Sequence, residues 1–509
     1  MLSVKRLVIR DDQTQQVWID HLSFTANDFD KIAIIGSEGS GKSTLLSVLS
    51  GKEVDYVKIA GDIQRPKIIG YVGQNLYEQN LNETVESYIN HRNPNALMDD
   101  IFRITQTLGL SYNILKNRTM KTLSGGERVK VHLASCLLLK PDILFLDEPS
   151  NDLDFQTVLF LEQFLLDIVI PVVFVSHDQR LLETVCNGVI HLEQIHKKTK
   201  AITHFLRVDY HTYKTEFLKK FESDWMISRK QRSDYHKKMA VYRQIYQKVE
   251  YRQNQAVRTP HEAQLLKKKI KAMKSTLKRF EKEKDNFIDI PEKEAPMHLF
   301  FEKRPKVNTQ KVWIDLNLAS FTLKDGRTLG PISLVVRGID KIVILGDNGS
   351  GKTSLIQHIL NQLKDTSIKV GYIPQNYTEL LNETQDLVSF ILERQARFNE
   401  AKLRQVMGTL GFKREDMIKP IGSLSEGTKL KGLLLMLVSN DYDLLILDEP
   451  TRNISPINQD EMYELFGQFD GAILAITHDR AMIETVFDDV YELNAQGLTK
   501  VRWETSNVS

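Results

Sequence analysis

The sequence predicts an α/β protein with two similar domains, each built on a mainly parallel sheet and joined by a long antiparallel two-helix coiled coil. Two observations predict the duplicated α/β part: short motifs recur at equal intervals, and several of them follow short apolar runs. A third observation, a basic middle segment with heptad spacing, predicts the coiled coil. The length of 509 residues agrees with about three domains of roughly 150 residues each.

The composition argues against a disordered, a disulfide-rich and a membrane-spanning protein. Hydrophobic residues make up 41% and charged residues 26% of the chain, as in ordinary globular proteins. Cys136 and Cys186 are too few for a disulfide framework and have no CxxC spacing. The most apolar run, 164–175, is interrupted by Asp167 and Pro171 and is shorter than the roughly 18 to 20 residues of a membrane span. We therefore expect a cytoplasmic protein without a membrane partner.

Five motifs occur twice in the same order. They are G-x4-G-K-[ST] at 36–43 and 346–353, G-Y-x-x-Q at 70–74 and 371–375, L-S-[GE]-G-[ET] at 123–127 and 424–428, D-E-P at 147–149 and 448–450, and [ST]-H-D at 176–178 and 477–479. Three intervals between them, of 50, 23 and 30 positions, are identical in the two copies. Matching motifs at matching intervals indicate a duplicated domain.

Short runs of β-branched and other apolar residues precede these motifs. The runs 31–35, 142–146 and 171–175 are typical of strands that are buried on both faces of a parallel sheet. Each glycine loop opens a predicted helix near Lys42 or Lys352. Alternation of such strands with helices predicts the α/β class.

The two glycine loops have the pattern of a phosphate-binding P-loop. Their glycines let backbone N–H groups turn towards phosphate, and the helix that follows adds positive potential. We expect Lys42 and Lys352 to reach the β- and γ-phosphates, and the hydroxyls of Ser43 and Thr353 to bind Mg²⁺. The expected ATP-binding residues of the loops are Gly36, Ser37, Glu38, Gly39, Ser40, Gly41, Lys42, Ser43, Thr44, Gly346, Asp347, Asn348, Gly349, Ser350, Gly351, Lys352, Thr353 and Ser354.

An acidic pair ends one buried strand in each copy. Asp147 and Asp448 suit a Mg²⁺-linked role, and the glutamates that follow them suit the activation of an attacking water. The candidate catalytic glutamates are therefore Glu148 and Glu449. Histidines also follow a strand directly in each copy, and their matched positions favour a role at the same site over a structural one. The candidate histidines are His177 and His478.

Together these motifs resemble the nucleotide-binding domains of ATP-binding cassette proteins, over roughly 400 residues. The resemblance implies an ATPase in which two cassettes meet head to tail and close on two ATP molecules. It implies that Gln74 and Gln375 take part in ATP and metal binding. It also implies contacts with the γ-phosphate from the two signature sequences, Ser124, Gly125, Gly126 and Ser425, Glu426, Gly427.

The resemblance predicts two occupied but unequal ATP sites. The site of Lys352 would face the intact signature and the loop 151–154, whereas the site of Lys42 would face the second signature and the loop 452–455. A carboxylate at Glu426 near the γ-phosphate is expected to weaken contact there, unless it turns to solvent. Phe321 is a candidate for stacking on adenine in the second copy. No equivalent aromatic stands out at positions 12–14 of the first copy.

The middle of the chain predicts two long helices packed on each other. Residues 214–289 hold 21 Lys and Arg against 10 Asp and Glu, whereas the rest of the chain is acidic. Steps of four and three residues mark one seam along 221–249 and another along 266–280. About 30 helical residues give an arm on the order of 45 Å long. Pro260 places the turn near 250–261.

These features divide the chain into a first cassette at 1–207, a linker at 208–306 and a second cassette at 307–509. The seam aromatics are expected to pack in the coiled coil, and the tip is expected to be exposed. A basic segment with a polar, aromatic and arginine-bearing tip favours RNA phosphate as its partner over a merely solvated face. The tip residues expected to contact RNA are Tyr251, Arg252, Gln253, Asn254, Gln255 and Arg258.

Two cassettes and a basic helical linker resemble the F subfamily, whose members bind the bacterial ribosome. That resemblance implies insertion of the linker from the exit site towards the P-site tRNA and rRNA of the peptidyl-transferase centre. Equal 50-residue intervals exclude the extra arm of many housekeeping members and favour the branch that protects ribosomes from antibiotics. A housekeeping factor that relieves stalled ribosomes and the ATPase subunit of a transporter remain alternatives. A DNA partner is not expected, and the cassettes are expected to close within one monomer.

Overall fold

The computed structural model describes most of the chain. The described residues are 1–37, 39–73, 82–150, 153, 155–195, 200–255, 260–285, 287, 299, 301, 309–323, 325–347, 349–376, 380–395, 397–410, 412, 414–424, 426–451, 454 and 456–503. The chain forms two compact units. One joins Met1–Tyr210 to Glu294–Ser509, and the other is His211–Lys293.

The first cassette alternates strands and helices after an N-terminal β-hairpin. Its elements are β1 (Leu2–Asp11), β2 (Val17–Ala26), β3 (Lys31–Gly36), α1 (Lys42–Ser50), β4 (Val57–Gln64), β5 (Ile69–Val72), α2 (Val85–Arg92), α3 (Met98–Thr107), α4 (Tyr112–Asn117), α5 (Gly125–Leu137), β6 (Ile143–Asp147), α6 (Phe155–Asp167), β7 (Val172–Val175), α7 (Gln179–Val185), β8 (Gly188–Ile195) and β9 (Lys200–Leu206). The sheet order is β5-β6-β7-β3-β8-β9, parallel except at β9, and β2-β1-β4 form a separate antiparallel sheet.

Two long helices follow, named α8 (Tyr210–Gln255) and α9 (Pro260–Asp285). The second cassette then repeats the order of the first. Its elements are β10 (Val312–Leu318), β11 (Phe321–Thr322), β12 (Thr328–Leu329), β13 (Ile332–Arg337), β14 (Lys341–Leu345), α10 (Lys352–Leu363), β15 (Val370–Ile373), α11 (Leu387–Arg394), α12 (Glu400–Thr409), α13 (Glu426–Val438), β16 (Leu444–Asp448), α14 (Gln459–Gly467), β17 (Ala472–Ile476), α15 (Arg480–Val486), β18 (Asp489–Asn494) and β19 (Gly497–Val501). The sheet order β15-β16-β17-β14-β18-β19 is that of the first cassette.

The predicted α/β class and the duplication are thus confirmed. Strands β3, β6 and β7 are buried along their whole length, as their continuous apolar runs predict for a sheet covered on both faces. The glycine loop follows β3, the acidic pair follows β6 and the histidine follows β7. Because these strands are parallel neighbours, all three motifs emerge at one edge of the sheet.

The two linker helices pack as an antiparallel pair. Tyr235 meets Phe287 with ring centroids 5.7 Å apart, and Tyr242 meets Phe280 at 6.4 Å. Lys238 Nζ lies 3.0 Å from Glu283 Oε2 between these two aromatic pairs. The residue numbers of the two helices run in opposite directions along the contacts, so the predicted coiled coil is confirmed.

Helix α8 is longer than the spacing predicted. It has 46 residues, about 69 Å at roughly 1.5 Å per residue, while α9 has 26. Helix α8 continues to Gln255, because nothing in 250–255 interrupts a helix, and α9 begins at Pro260, where the missing N–H costs nothing. The turn therefore falls at the C-terminal end of the predicted 250–261 segment. Within the described part of the chain, no helix is long and apolar enough to cross a membrane.

Candidate functional site

The first P-loop has the backbone that its glycines permit. Gly41 has a φ of 94°, and a Cβ added to Gly36 would lie 2.5 Å from the Leu192 carbonyl oxygen. The loop is closed over its own lysine, since Lys42 Nζ donates to the carbonyls of Gly36 at 3.0 Å and Ser37 at 3.1 Å. The ammonium is held at the mouth of the loop, where a phosphate would replace these carbonyls as its partner.

The second P-loop repeats this geometry closely. Lys352 Nζ donates to the carbonyl oxygens of Gly346 at 2.6 Å and Asp347 at 3.0 Å, and Gly351 has a φ of 102°. Burial lowers the pKa of Lys352, and the nearby carboxylate of Glu449 opposes that shift. Glu38 and Asn348, which are predicted members of the two loops, lie outside the described residues.

Each cassette brings a P-loop hydroxyl to the first carboxylate of the acidic pair. Ser43 Oγ donates to Asp147 Oδ1 at 3.1 Å, and Thr353 Oγ1 donates to Asp448 Oδ2 at 3.0 Å. Burial raises the pKa of both aspartates, against the hydrogen bonds from these hydroxyls. A hydroxyl beside a carboxylate at the phosphate loop is the oxygen set that suits Mg²⁺ shared with a nucleotide.

The predicted catalytic pairs are also brought together. His177 Nε2 lies 3.7 Å from Glu148 Oε1, and His478 Nε2 lies 3.6 Å from Glu449 Oε1. Burial lowers the pKa of His177 to about 4, and the Lys42 ammonium adds to this shift. His177 is therefore neutral at physiological pH and can orient Glu148 without adding charge.

The two glutamates share a strained backbone that the sequence does not reveal. Glu148 has a φ of 50° and Glu449 a φ of 51°, in the left-handed region that non-glycine residues rarely adopt. Such strain is typical of functional positions, where surrounding structure holds it in place. The only available signal in the sequence is the proline that follows each glutamate.

The first signature sequence is organised as a helix N-terminus. Ser124 Oγ accepts from the N–H of Glu127 at 3.2 Å, and Glu127 Oε2 accepts from the N–H of Ser124 at 2.8 Å. A Cβ added to Gly126 would lie 2.1 Å from Thr157 Oγ1, so α6 can pack here only against glycine. The signature therefore lies at the N-terminal end of α5, where the backbone N–H groups of Gly125 and Gly126 begin the helix.

The second signature falls largely outside the described residues. Ser425 and the side chain of Glu426 are not described, although α13 begins at Glu426 and contains Gly427. The predicted inequality of the two sites therefore stays a prediction. The same holds for Gln74, which is outside the described residues, whereas Gln375 lies beside the second P-loop.

A cleft of about 530 Å³ marks the second site. Its lining residues are Leu323, Asp325, Arg327, Gly349, Gly351, Lys352, Thr353, Ser354, Gln375, Asp448, Glu449 and Ile476. All of these lie in the second cassette, so Ser124 to Gly126 of the first cassette are not among the described lining residues. The composite site that the resemblance implies, with the first signature facing the second P-loop, therefore stays a prediction.

The cleft also contains residues that the sequence reasoning missed. Phe321 is not among the described lining residues and instead contacts His358, with ring centroids 5.4 Å apart. Leu323 and Arg327 take its place, and Arg327 donates to the Gly349 carbonyl at 2.7 Å. Strands β11 and β12 form the small hairpin that brings them there.

In the first cassette an aromatic residue does approach the P-loop. A Cβ added to Gly41 would lie 3.4 Å from Trp18 Cβ. The ring centroids of Trp18 and Tyr56 are 5.9 Å apart. Tyr56 in turn places its hydroxyl 3.4 Å from Thr44 Oγ1. The aromatic residue beside the first P-loop is therefore Trp18 and not a residue at 12–14, because β2 runs back to the loop.

The linker exposes the basic residues that the sequence singled out. Along α9 the exposed ones among the described side chains are Lys267, Lys268, Lys269, Lys271, Lys274, Lys278, Arg279 and Lys282, while the seam residues between them are half-buried. Of the predicted tip residues, Tyr251 is 65% exposed and Arg252 is also exposed. The side chains of Gln253, Asn254 and Gln255, and all of Arg258, lie outside the described residues.

The chain is similar in sequence to known proteins. A family model described as "ABC transporter" matches residues 19–151 and 329–452, together just over half of the chain. The probable ATP-binding cassette sub-family F member 3 homolog of Encephalitozoon cuniculi is 26% identical over 470 residues, covering 91% of this chain and 75% of that protein. The ATP-binding protein Uup of Buchnera aphidicola is 26% identical over 501 residues, covering 94% and 79%.

Solved structures share the whole-chain fold. The archaeal ribosome recycling factor aABCE1, solved in complex with the archaeal ribosomal stalk protein aP1, matches with a TM-score of 0.59 at 15% identity. The match covers 98% of this chain and 90% of that chain. At this identity the likeness concerns the fold alone.

Proposed function

The chain belongs to the ATP-binding cassette family, with tandem cassettes of the sub-family F type, and on that premise we propose that its ATPase activity drives work on the ribosome. The observation that carries the proposal is the basic, exposed face of α9, whose helix lies in the sequence between two cassettes that each hold a P-loop and an acidic pair. Hydrolysis of ATP supplies a cycle of closure and opening, and the linker supplies a surface for RNA phosphate.

We propose the following roles for the site residues. Lys42 and Lys352 exchange loop carbonyls for the β- and γ-phosphates of ATP. Ser43, Asp147 and Gln74 would hold Mg²⁺ in the first cassette, and Thr353, Asp448 and Gln375 in the second. When bound, Mg²⁺ neutralises charge on the phosphates. Glu148 and Glu449 accept a proton from the attacking water, and His177 and His478 orient those glutamates.

The linker is proposed to contact ribosomal RNA. Eight basic side chains among the described residues of α9 are exposed, and the tip adds Tyr251 for stacking and Arg252 for phosphate. The archaeal neighbour is named a ribosome recycling factor, which supports the ribosome as the RNA to test first.

The finer proposal is protection of the bacterial ribosome from antibiotics at the peptidyl-transferase centre. The linker would enter from the exit site, approach the P-site tRNA, and be released after hydrolysis. The test is cell-free bacterial translation inhibited in turn by lincomycin, virginiamycin M, tiamulin and erythromycin, with purified protein and ATP added. Rescue from some drugs and not others supports protection, and the pattern locates the drug site.

A housekeeping translation factor is the second candidate. Ribosome binding without rescue from any drug in the panel would withdraw the antibiotic proposal and favour this role. The variant Glu148→Gln/Glu449→Gln, which should bind ATP without hydrolysing it, is the matched control in the same reactions. Its failure to rescue separates ATP-driven protection from passive binding of a basic protein.

A further inference from the structure

A buried ion pair joins the two cassettes. Arg480, the first residue of α15, donates from Nη1 to Glu162 Oε2 of α6 at 2.9 Å, and its Nη2 contacts Glu162 Oε1. The two side chains are only 9% and 10% exposed. A two-pronged arginine–carboxylate contact fixes direction as well as distance, so it holds α15 and α6 in one relative orientation.

The same arginine reaches the segment that carries the catalytic histidine of the first cassette. Arg480 Nη2 lies 3.6 Å from Asp178 Oδ2, and Asp178 directly follows His177. Asp178 also caps α7, since its Oδ1 accepts from the N–H of Leu181 at 3.0 Å. A movement of Arg480 would therefore displace Asp178, which is the neighbour of His177 in the chain.

A second connection between the cassettes runs beside the first. Gln459 Nε2 of the second cassette donates to the His177 carbonyl at 3.0 Å. The Tyr463 hydroxyl lies 3.3 Å from Gln459 Oε1 and 2.8 Å from Asp479 Oδ2, within hydrogen-bond reach of both. Asp479 stands between His478 and Arg480, so polar contacts link the segments that carry both histidines.

The ion pair occurs on one side of the pseudo-symmetric interface only. The offset between the repeats, from Asp147 to Asp448, is 301 positions. It places Gln179 opposite Arg480 and Tyr463 opposite Glu162. Gln179 donates to Glu183 within its own helix at 2.7 Å. The mirror contact therefore lacks both charges, and the other ion pair at this interface, between Arg180 of the first cassette and Glu484 of the second, is more exposed.

We propose that Arg480 is a positioning residue that couples the second cassette to hydrolysis at the Lys42 site, by holding Glu162 and Asp178 and hence the His177 segment. Arg480 lies two residues after His478 of the Lys352 site. A movement of His478 is therefore passed to the first cassette through the contact between Arg480 and Glu162. The proposal rests on the proposed roles of Glu148 and His177. Neutralising Arg480 leaves Glu162 as a buried unpaired charge, which favours rearrangement of this segment.

The experiment compares Arg480→Gln in two backgrounds. In Glu449→Gln, hydrolysis comes from the Lys42 site, and Arg480→Gln should lower kcat about fivefold or more while KM for ATP stays within about twofold. In Glu148→Gln the same change should lower kcat by less than about twofold. Glu162→Gln should match Arg480→Gln, and the double change should be no worse than either, because it removes both charges of the buried Arg480–Glu162 pair together.

The matched control is Arg180→Gln, which breaks the Arg180–Glu484 pair at the same interface, where the Arg180 side chain is 39% exposed. It should change kcat by less than about twofold. Arg480→Lys keeps the charge but loses the two-pronged contact, so it should fold normally and lower kcat by less than Arg480→Gln does, which separates positioning from failure to fold. Amide exchange over residues 172–185 should quicken in Arg480→Gln and not in Arg180→Gln.

Three results overturn the inference: equal loss in both backgrounds, additive effects of Arg480→Gln and Glu162→Gln, or unchanged exchange over 172–185. The exchange measurement does not depend on hydrolysis, so it decides the matter even if one background is inactive. Hydrolysis that survives Glu148→Gln/Glu449→Gln would instead show that the catalytic assignment is wrong. The two failures are therefore distinguishable.

Discussion

At the scale of single residues, the two glutamates that follow β6 and β16 are the residues that we propose to activate the attacking water. Each has a left-handed backbone and a histidine nitrogen within 3.7 Å of its carboxylate. The motif alone gave their identity and role. It did not give the strained φ angles, because a backbone angle depends on the strands on either side and leaves no mark on residue type.

The variant Glu148→Gln/Glu449→Gln should abolish turnover. An amide cannot accept the proton of the attacking water, so kcat should fall by about two orders of magnitude or more, while ATP still binds. Phosphate release at saturating ATP, together with equilibrium binding of ATP, measures both. Retention of more than about a tenth of wild-type kcat contradicts the assignment.

A buried histidine of the first cassette predicts the pH dependence of stability. His132 Nδ1 lies 2.7 Å from the Tyr88 hydroxyl, and burial lowers the pKa of His132 to about 3 from 6.5. A lowered pKa means that the unfolded chain binds the proton more readily. Stability from this group is therefore present above about pH 6.5 and is lost as the pH falls towards 3.

Between pH 7 and 5 this loss should be about 2 kcal/mol of unfolding free energy from His132 alone. Urea unfolding at both pH values measures it, and His132→Gln should reduce the difference by about that amount. His91→Gln, at a histidine whose side chain is 78% exposed, is the control and should leave the difference unchanged. An equal difference in wild type and His132→Gln contradicts the argument.

At the scale of elements, packing around the signature helix sets what the sequence can tolerate. Gly126 faces Thr157 with no room for a Cβ, so Gly126→Ala should cost about 1–3 kcal/mol of unfolding free energy. Gly408 in α12 has open space around its Cα, so Gly408→Ala should be neutral or stabilise by up to about 1 kcal/mol. Equal effects of the two changes, measured by urea unfolding, would refute this packing argument.

The linker makes a separate prediction for RNA binding. Changing Lys267, Lys268 and Lys269 to Glu should weaken binding to ribosomal RNA, because three phosphate contacts are lost. The slope of log affinity against log salt should become shallower by about 2. The control changes Lys67, Lys121 and Lys402, which are exposed on the cassettes, to Glu. An equal loss in the two triple variants would mean that net charge, and not the linker, governs binding.

The helices and strands were predictable to different degrees. Heptad spacing identified both linker helices and the aromatic seam, because contacts along a coiled coil repeat with the sequence. The hairpin of β11 and β12 was not predicted, since two-residue strands have no periodicity. This hairpin places Leu323 and Arg327 in the cleft, where Phe321 was predicted. The position of Trp18 beside the first P-loop was not predicted either, because it depends on the path of β2.

At the scale of the whole molecule, the repeated motifs predicted from sequence alone that the chain has two similar α/β domains, and the structure adds that their sheets have the same strand order. The contacts between cassettes were not predictable, because Arg480 and Glu162 are 318 positions apart and neither belongs to a catalytic motif. Asymmetry between the cassettes was expected from the signatures. The structure adds the one-sided ion pair as a second, independent source of it.

The central claim is that ATP binding commits the protein to the ribosome and hydrolysis releases it. The most direct measurement is co-sedimentation of Glu148→Gln/Glu449→Gln with bacterial ribosomes in ATP and in ADP. We expect the variant to sediment with ribosomes in ATP and little in ADP. Changing Lys267, Lys268 and Lys269 to Glu as well should abolish its sedimentation with ribosomes. Equal sedimentation in ATP and ADP, or retention that ignores the linker, would contradict it.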